Sequence, residues 1–216
     1  MPIAGAFDAR GAAAAGEWIR AAAPTYPCLI DERHTVAELY GMVNVPMAVW
    51  IDESGTIVRP AEIAGASEAF RSELDRATFD RTERGLAEAS RVREVYSDAV
   101  RAWVREGRHA LAPDEARRRL RLPTPADALA AAHARLGELL WEAGDGEGAR
   151  RHFAEASRLV PESWCFRRQS WNLDDDPQLA DPRFWAAIDA IGAGEFYPEP
   201  QDLAARVPGQ IEQEGT

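Results

Sequence analysis

Tyr26-Pro-Cys-Leu-Ile-Asp31, Val36-Ala-Glu-Leu-Tyr-Gly41, Val45-Pro-Met-Ala-Val-Trp-Ile-Asp52 and Gly55-Thr-Ile-Val58 follow one another in a single stretch of this sequence. The first block is short, apolar and bounded by turn formers, which reads as a strand. Thr35-Val-Ala-Glu38 fits a capping box, in which the Thr hydroxyl accepts from a free backbone N–H and the Glu reaches back. The helix it opens runs to Tyr40, where Gly41 ends it. Val45–Ile51 is strand-like, Asp52-Glu-Ser-Gly55 is turn chemistry, and Thr56–Arg59 returns as a strand. Pro60 has no N–H for a ladder and keeps that strand from being central at its end.

Upstream, Pro2–Asp8 is a short apolar strand candidate. Arg10–Ala23 is an Ala-rich helix with Trp18 and Ile19 on one side, and Pro24 stops it. Downstream the strand signal disappears. Ser67–Ala77 and Glu83–Glu106 read as helices, the second with Val92, Val95, Tyr96, Ala99, Val100 and Trp103 at helical spacing. Pro113 starts a short helix. Thr124-Pro125 caps Ala126–Ala143, Gly144-Asp-Gly146 turns the chain, and Glu147–Leu159 returns to Pro161. Ser163–Leu173 is a further helix, and Asp181-Pro182 opens a last one that ends at Gly192. The tail from Pro198 is polar and expected to be mobile.

The chain has 216 residues, is 46% hydrophobic and 28% charged, and carries a formal net charge of -11. Those values suit a globular protein and disfavour phosphate backbones or an anionic membrane surface as the main partner. All basic residues are Arg, which with abundant Ala reads as coding bias in a GC-rich bacterial genome. No apolar run is long enough for a transmembrane span and no secretory leader is evident, so the expectation is cytoplasmic, without nucleic-acid or membrane partners. The two cysteines, Cys28 and Cys165, give neither a disulfide framework nor a paired metal motif.

The quoted blocks resemble the second half of a thioredoxin-fold redoxin of the alkyl hydroperoxide reductase (AhpC/TSA-like) and thiol–disulfide oxidoreductase group. The resemblance covers Met1–Ile63. It implies that Pro46 is a cis-proline whose loop, with Val45, faces an extended substrate segment. The departure is that the Cys-x-x-Cys pair is absent, and so is the peroxiredoxin Pro-x-x-x-Thr-x-x-Cys. Such thiols work because a helix N-terminus lowers their pKa. In one alignment Met1–Asp8 follows a missing redox helix. The sheet is then truncated and needs a partner strand, a rearrangement or upstream coding sequence. In the other, Phe7-Asp-Ala9 replaces the family's aromatic lead-in and Ala12 and Ala15 replace the cysteines.

Leu136-Gly137, Ala149, Phe153, Ala156 and Pro161 resemble one tetratricopeptide (TPR-like) repeat, with His133 and Leu140 in place of its usual Trp and Tyr. One unit cannot bury its own face, so Glu83–Glu106 and Ser163–Leu173 are expected to cover it.

Among chemistry candidates, Cys28 is the single thiol with a catalytic reading, against an inert strand cysteine. His34 and Glu38 are four apart but need no metal to explain them, and no metal or cofactor is expected. His133 and His152 sit on facing helices. Arg117-Arg-Arg119, Arg121, Arg150-Arg151 and Arg167-Arg168 suit an oxyanion pocket or a solvated face. Asp174-Asp-Asp176 is a turn. Trp164 and Trp171 are candidate anchors for a peptide or apolar ligand.

The expectation is an α/β thioredoxin-like segment over 1–64, connecting helices over 65–122, an all-α TPR-like region over 123–192 and a flexible tail over 193–216. Its function would be that of a non-dithiol binding or scaffold module for a protein or small molecule. The alternative is a thiol-dependent oxidoreductase or peroxidase using Cys28. A truncated sheet would favour a homodimer.

Overall fold

The computed structural model describes residues 1–6, 10–172 and 182–204. They are mixed α/β, with two two-stranded sheets. Phe7-Asp-Ala9, the Asp174–Asp176 turn, the Asp181 cap and the tail beyond 204 lie outside the described residues.

The chain forms two compact units, each from two separate stretches of sequence. One comprises the described residues of Met1–Val45 and Arg121–Gln178, the other those of Pro46–Leu120 and Leu179–Thr216. The expected division was linear, into 1–64, 65–122 and 123–192. The change of unit falls at Val45–Pro46, inside the segment expected to be one α/β layer.

In the first unit, β1 (Ala4–Ala6) pairs in parallel with β2 (Cys28–Ile30), Gly5 standing opposite Leu29. Parallel neighbours need a crossover, and α1 (Ala12–Ala22) supplies it. The buried side of α1 runs through Gly16, whereas Trp18 is 78% exposed, so the expected Trp18–Ile19 face is only half sequestered. Helix α2 (Thr35–Tyr40) begins and ends where expected, and Gly41 closes it at φ 66°, a conformation that suits glycine.

The cap of α2 differs from the expected box. Thr35 is the first helical residue, and the carboxylate of Asp31 accepts from the N–H groups of Thr35 (2.9 Å), Val36 (2.7 Å) and Ala37 (3.2 Å). The bend at His34, with φ 53°, brings Asp31 round to the free donors.

Helices α6 (Pro125–Glu142) and α7 (Gly146–Leu159) form a hairpin. Thr124 and Asp127 cap α6 reciprocally, and the side chain of Asp145 caps α7 through Gly148 N–H at 2.8 Å. Ala130, Ala149 and Ala156 are fully buried between elements. A methyl at Gly137 would stand 2.7 Å from a Phe153 ring carbon, so the ring lies where only a hydrogen fits. Helix α8 (Trp164–Asn172) packs on α7, as expected. Its first N–H groups, from Trp164 and Cys165, donate to the Val43 carbonyl at 2.6 and 3.2 Å. That carbonyl caps a helix end with backbone from beyond α2.

In the second unit, β3 (Met47–Ile51) and β4 (Ile57–Ile63) form an antiparallel hairpin. Its turn is tied by Asp52, whose carboxylate accepts from Ser54 N–H (2.9 Å) and Thr56 N–H (3.0 Å). β4 runs past Pro60, contrary to expectation. The register slips between Ala48 and Trp50, so Pro60 falls in an irregularity where no ladder N–H is required.

Helix α4 (Glu83–Glu106) packs through Tyr96, Ala99 and Trp103 around Trp50 of β3. It therefore belongs to the second unit, whereas α6 and α7 belong to the first. The Ser67–Ala77 helix is reduced to α3 (Phe70–Glu73), because Leu74 is extended and Asp75 captures the N–H groups of Ala77 and Thr78, both at 2.8 Å. Helix α5 (Pro113–Arg119) precedes the return to the first unit.

Helix α9 (Pro182–Ile191) places Phe184 and Trp185 against Phe70, with ring centroids 6.5 and 6.1 Å away. The first part of the expected flexible tail is packed. Phe196 and Leu203 are buried, the latter within α10 (Gln201–Ala204), and Glu68 accepts from the N–H groups of Phe196 and Tyr197.

Candidate functional site

The first unit holds a cavity of about 360 Å³ that opens to solvent beside Arg33, Thr35 and Glu38. Its walls come from three places. Arg33, His34 and Glu38 lie at the entry to α2 and one turn along it. Ala131, Ala134, Arg135 and Glu138 form one stripe of α6, at positions three, four and seven apart. Phe153 of α7 and Cys165 and Phe166 of α8 complete the lining. A smaller hollow of about 130 Å³ is also lined by His34, Glu38, Ala131, Cys165 and Phe166.

Two carboxylates define the electrostatics. Glu138 has a side chain 9% exposed, and its Oε2 accepts from Arg135 Nη1 at 2.7 Å. Burial outweighs the Arg135 charge and raises the Glu138 pKa above the usual carboxylate value. Glu38 is also raised, first by desolvation and then by the negative charges of Asp31 and Glu138. The two acids therefore resist being ionised together. Cys165 donates its S–H toward the Met42 carbonyl at 3.6 Å, and burial with the nearby Asp31 charge pushes its pKa up to about 12. It stays a thiol at neutral pH and behaves as a small apolar wall.

The residues singled out from sequence are dispersed. Cys28 is half-buried in β2, opposite Ala4. Val45 is 50% exposed, and its N–H is held by Asn44 Oδ1 at 2.8 Å. Pro46 is exposed and accepts from Ala64 N–H at 3.1 Å. Trp164 is 6% exposed and carries Arg167 over its ring at 4.6 Å, so it packs and does not stand out as an anchor; Trp171 is half-buried.

His34 and Glu38 share the cavity wall. Among the described residues no group of three or more His, Cys, Asp and Glu could hold a metal ion. His133 and His152 meet across the hairpin, Nδ1 to Nδ1 at 2.8 Å, which requires one ring to donate and the other to accept. Most of the arginines weighed for an oxyanion pocket are committed to carboxylates: Arg117 to Asp114, Arg118 and Arg119 to Glu115, Arg121 to Asp127 and Glu162, and Arg151 to Glu147.

Sequence reasoning missed Glu138, Arg135 and the cavity role of Cys165. One signal was present: Arg135 and Glu138 fall on the same helical stripe as Ala131 and Ala134, whose small side chains leave room beside them.

No helix of the described residues is long and apolar enough to cross a membrane. No family model, curated protein or solved structure matches this chain.

Proposed function

We propose that this chain is a binding protein of redoxin ancestry with no dithiol centre, and that its ligand site is the α2–α6–α8 cavity. The carrying observation is the cavity itself, whose volume of about 360 Å³ lies in the range of small-molecule sites and which combines aromatic walls with a few converging polar groups. The ancestry is supported by the β1–α1–β2 parallel unit followed by the β3–β4 hairpin, the element order that the resemblance implies. The absence of a paired-cysteine motif supports a binding role over electron transfer, as does a Cys165 thiol held protonated by burial.

The test is a ligand-observed NMR screen of a fragment set of mixed charge against the full chain and against Ala131→Phe, which puts a ring into the cavity. Fragments that bind the wild type and lose binding in the variant support the reading. No binding by any fragment overturns it. Peroxide or disulfide turnover that Cys28→Ser abolishes would also overturn it, in favour of a thiol enzyme.

A further inference from the structure

We propose that the cavity recognises a small organic monoamine, its ammonium held by Glu138 and Glu38 and its apolar body lying against Phe153 and Phe166. This rests on the reading of the cavity as the ligand site and adds the chemical class of the ligand.

Glu138 is nine-tenths buried and faces the cavity, yet only one of its oxygens is used. Oε2 takes the bond from Arg135, and Oε1 receives no hydrogen bond among the described residues. Oε1 is reachable from solvent and so open to a ligand's donor. Glu38 also lines the space, and its carboxylate accepts no hydrogen bond among the described residues. An ammonium brings three donors and a positive charge to these two acceptors. Phe153, Phe166, Cys165 and the alanines of α6 give the lining an apolar part that suits a hydrocarbon body. Arg33 and Arg135 also line the cavity and balance the two carboxylates in formal charge, so selection of one ammonium rests on the open Glu138 Oε1 and Glu38 acceptors and not on net charge.

Isothermal titration of the full chain with 2-phenylethylamine and with 2-phenylethanol tests the assignment, because the two probes share a body and differ in charge. The amine should bind at least tenfold more tightly than the alcohol. It should lose at least tenfold in Glu138→Gln and severalfold in Glu38→Gln, whose position on the exposed side of α2 keeps the fold intact. Equal binding of amine and alcohol, or full retention of the amine in both variants, overturns the assignment. So does a screen in which only anionic or neutral fragments bind, an outcome that leaves the cavity a ligand site. Failure of every fragment removes both readings.

Discussion

Arg59 and Asp202 stand 143 positions apart in the sequence and share two hydrogen bonds, Nη1 to Oδ2 at 2.9 Å and Nη2 to Oδ1 at 3.1 Å. The Arg59 side chain is 0% exposed. It also grips Glu62 with two bonds of 2.8 Å, donates to the His109 carbonyl at 2.9 Å and lies over the Trp50 ring at 5.1 Å. Trp50 Nε1 donates to the Tyr96 hydroxyl, which donates to Glu62, closing the network. Burial and the Glu62 charge hold the Tyr96 phenol protonated. One guanidinium thus joins β4, the segment before α5 and α10 in the second unit.

Arg59→Met should lower stability by about 3–5 kcal/mol, because it leaves Glu62 largely buried without its charge partner. Lys should not rescue it, since an ammonium cannot reproduce the planar fork. Urea denaturation of the full chain measures this. A loss below about 1 kcal/mol would mean that the pair behaves like a surface ion pair.

Asp202 gives the network an acid limit. Burial disfavours its charge, but the hydrogen bonds and charges of Arg59 and Arg119 outweigh that and hold its pKa down to about 2. A carboxylate whose folded pKa lies below its ordinary 3.8 stabilises the fold above that value and loses the contribution as pH falls to about 2. Asp202→Asn should flatten melting temperature against pH across that window. An unchanged slope would contradict the assignment.

Gly137→Ala should cost about 1–3 kcal/mol, because its methyl meets the Phe153 ring in a packed interior. Phe153→Leu vacates that space, so the double variant should be less destabilised than the sum of the singles. Simple additivity in thermal melts would show that the two positions do not share the space.

Asp31→Ala should cost about 0.5–2 kcal/mol as the loss of a helix cap, whereas Thr35→Ala should stay within about 0.5 kcal/mol. Equal effects would restore the Thr35 capping box.

Cys165 should resist alkylation at pH 8 in the folded chain. With its pKa pushed to about 12, only about one thiol in 10,000 is thiolate at that pH. Half-buried Cys28 should react first. Mass spectrometry after timed iodoacetamide treatment reads the order, and rapid labelling of Cys165 would contradict its burial.

Local chemistry was legible in the sequence wherever one segment decided the outcome. Gly41 ends α2, Asp52-Glu-Ser-Gly55 turns the β3–β4 hairpin, Thr124-Pro125 opens α6 and the Gly144–Gly146 turn folds α6 back on α7, because each depends on neighbours within a few residues. The misreadings have a common cause. Asp31 reached further than the nearest Thr, Asp75 cut short the helix expected to run to Ala77, and Pro60 found an irregular register that needs no donor.

The candidate site was less legible. His34 and Glu38 were visible as a pair, but Glu138 is a hundred positions from Glu38 and gains meaning only once α6 is laid beside α2. Cys28 and Cys165 stand far apart in the sequence, so the absence of a Cys-x-x-Cys motif from these residues was legible at once.

What the sequence determined by itself is the order of most helices and strands and the turns between them, since backbone propensity, periodicity and turn chemistry act over a few residues. The tertiary structure alone decided which distant segments share a core. It placed β1–α2 with α6–α8, and β3–α5 with α9 and α10, and so made the change of unit fall at Val45–Pro46. Burial is a property of the assembled unit: it shifts the ionisation of Glu138 and Cys165 and commits Arg59 to Asp202, and no local pattern encodes it.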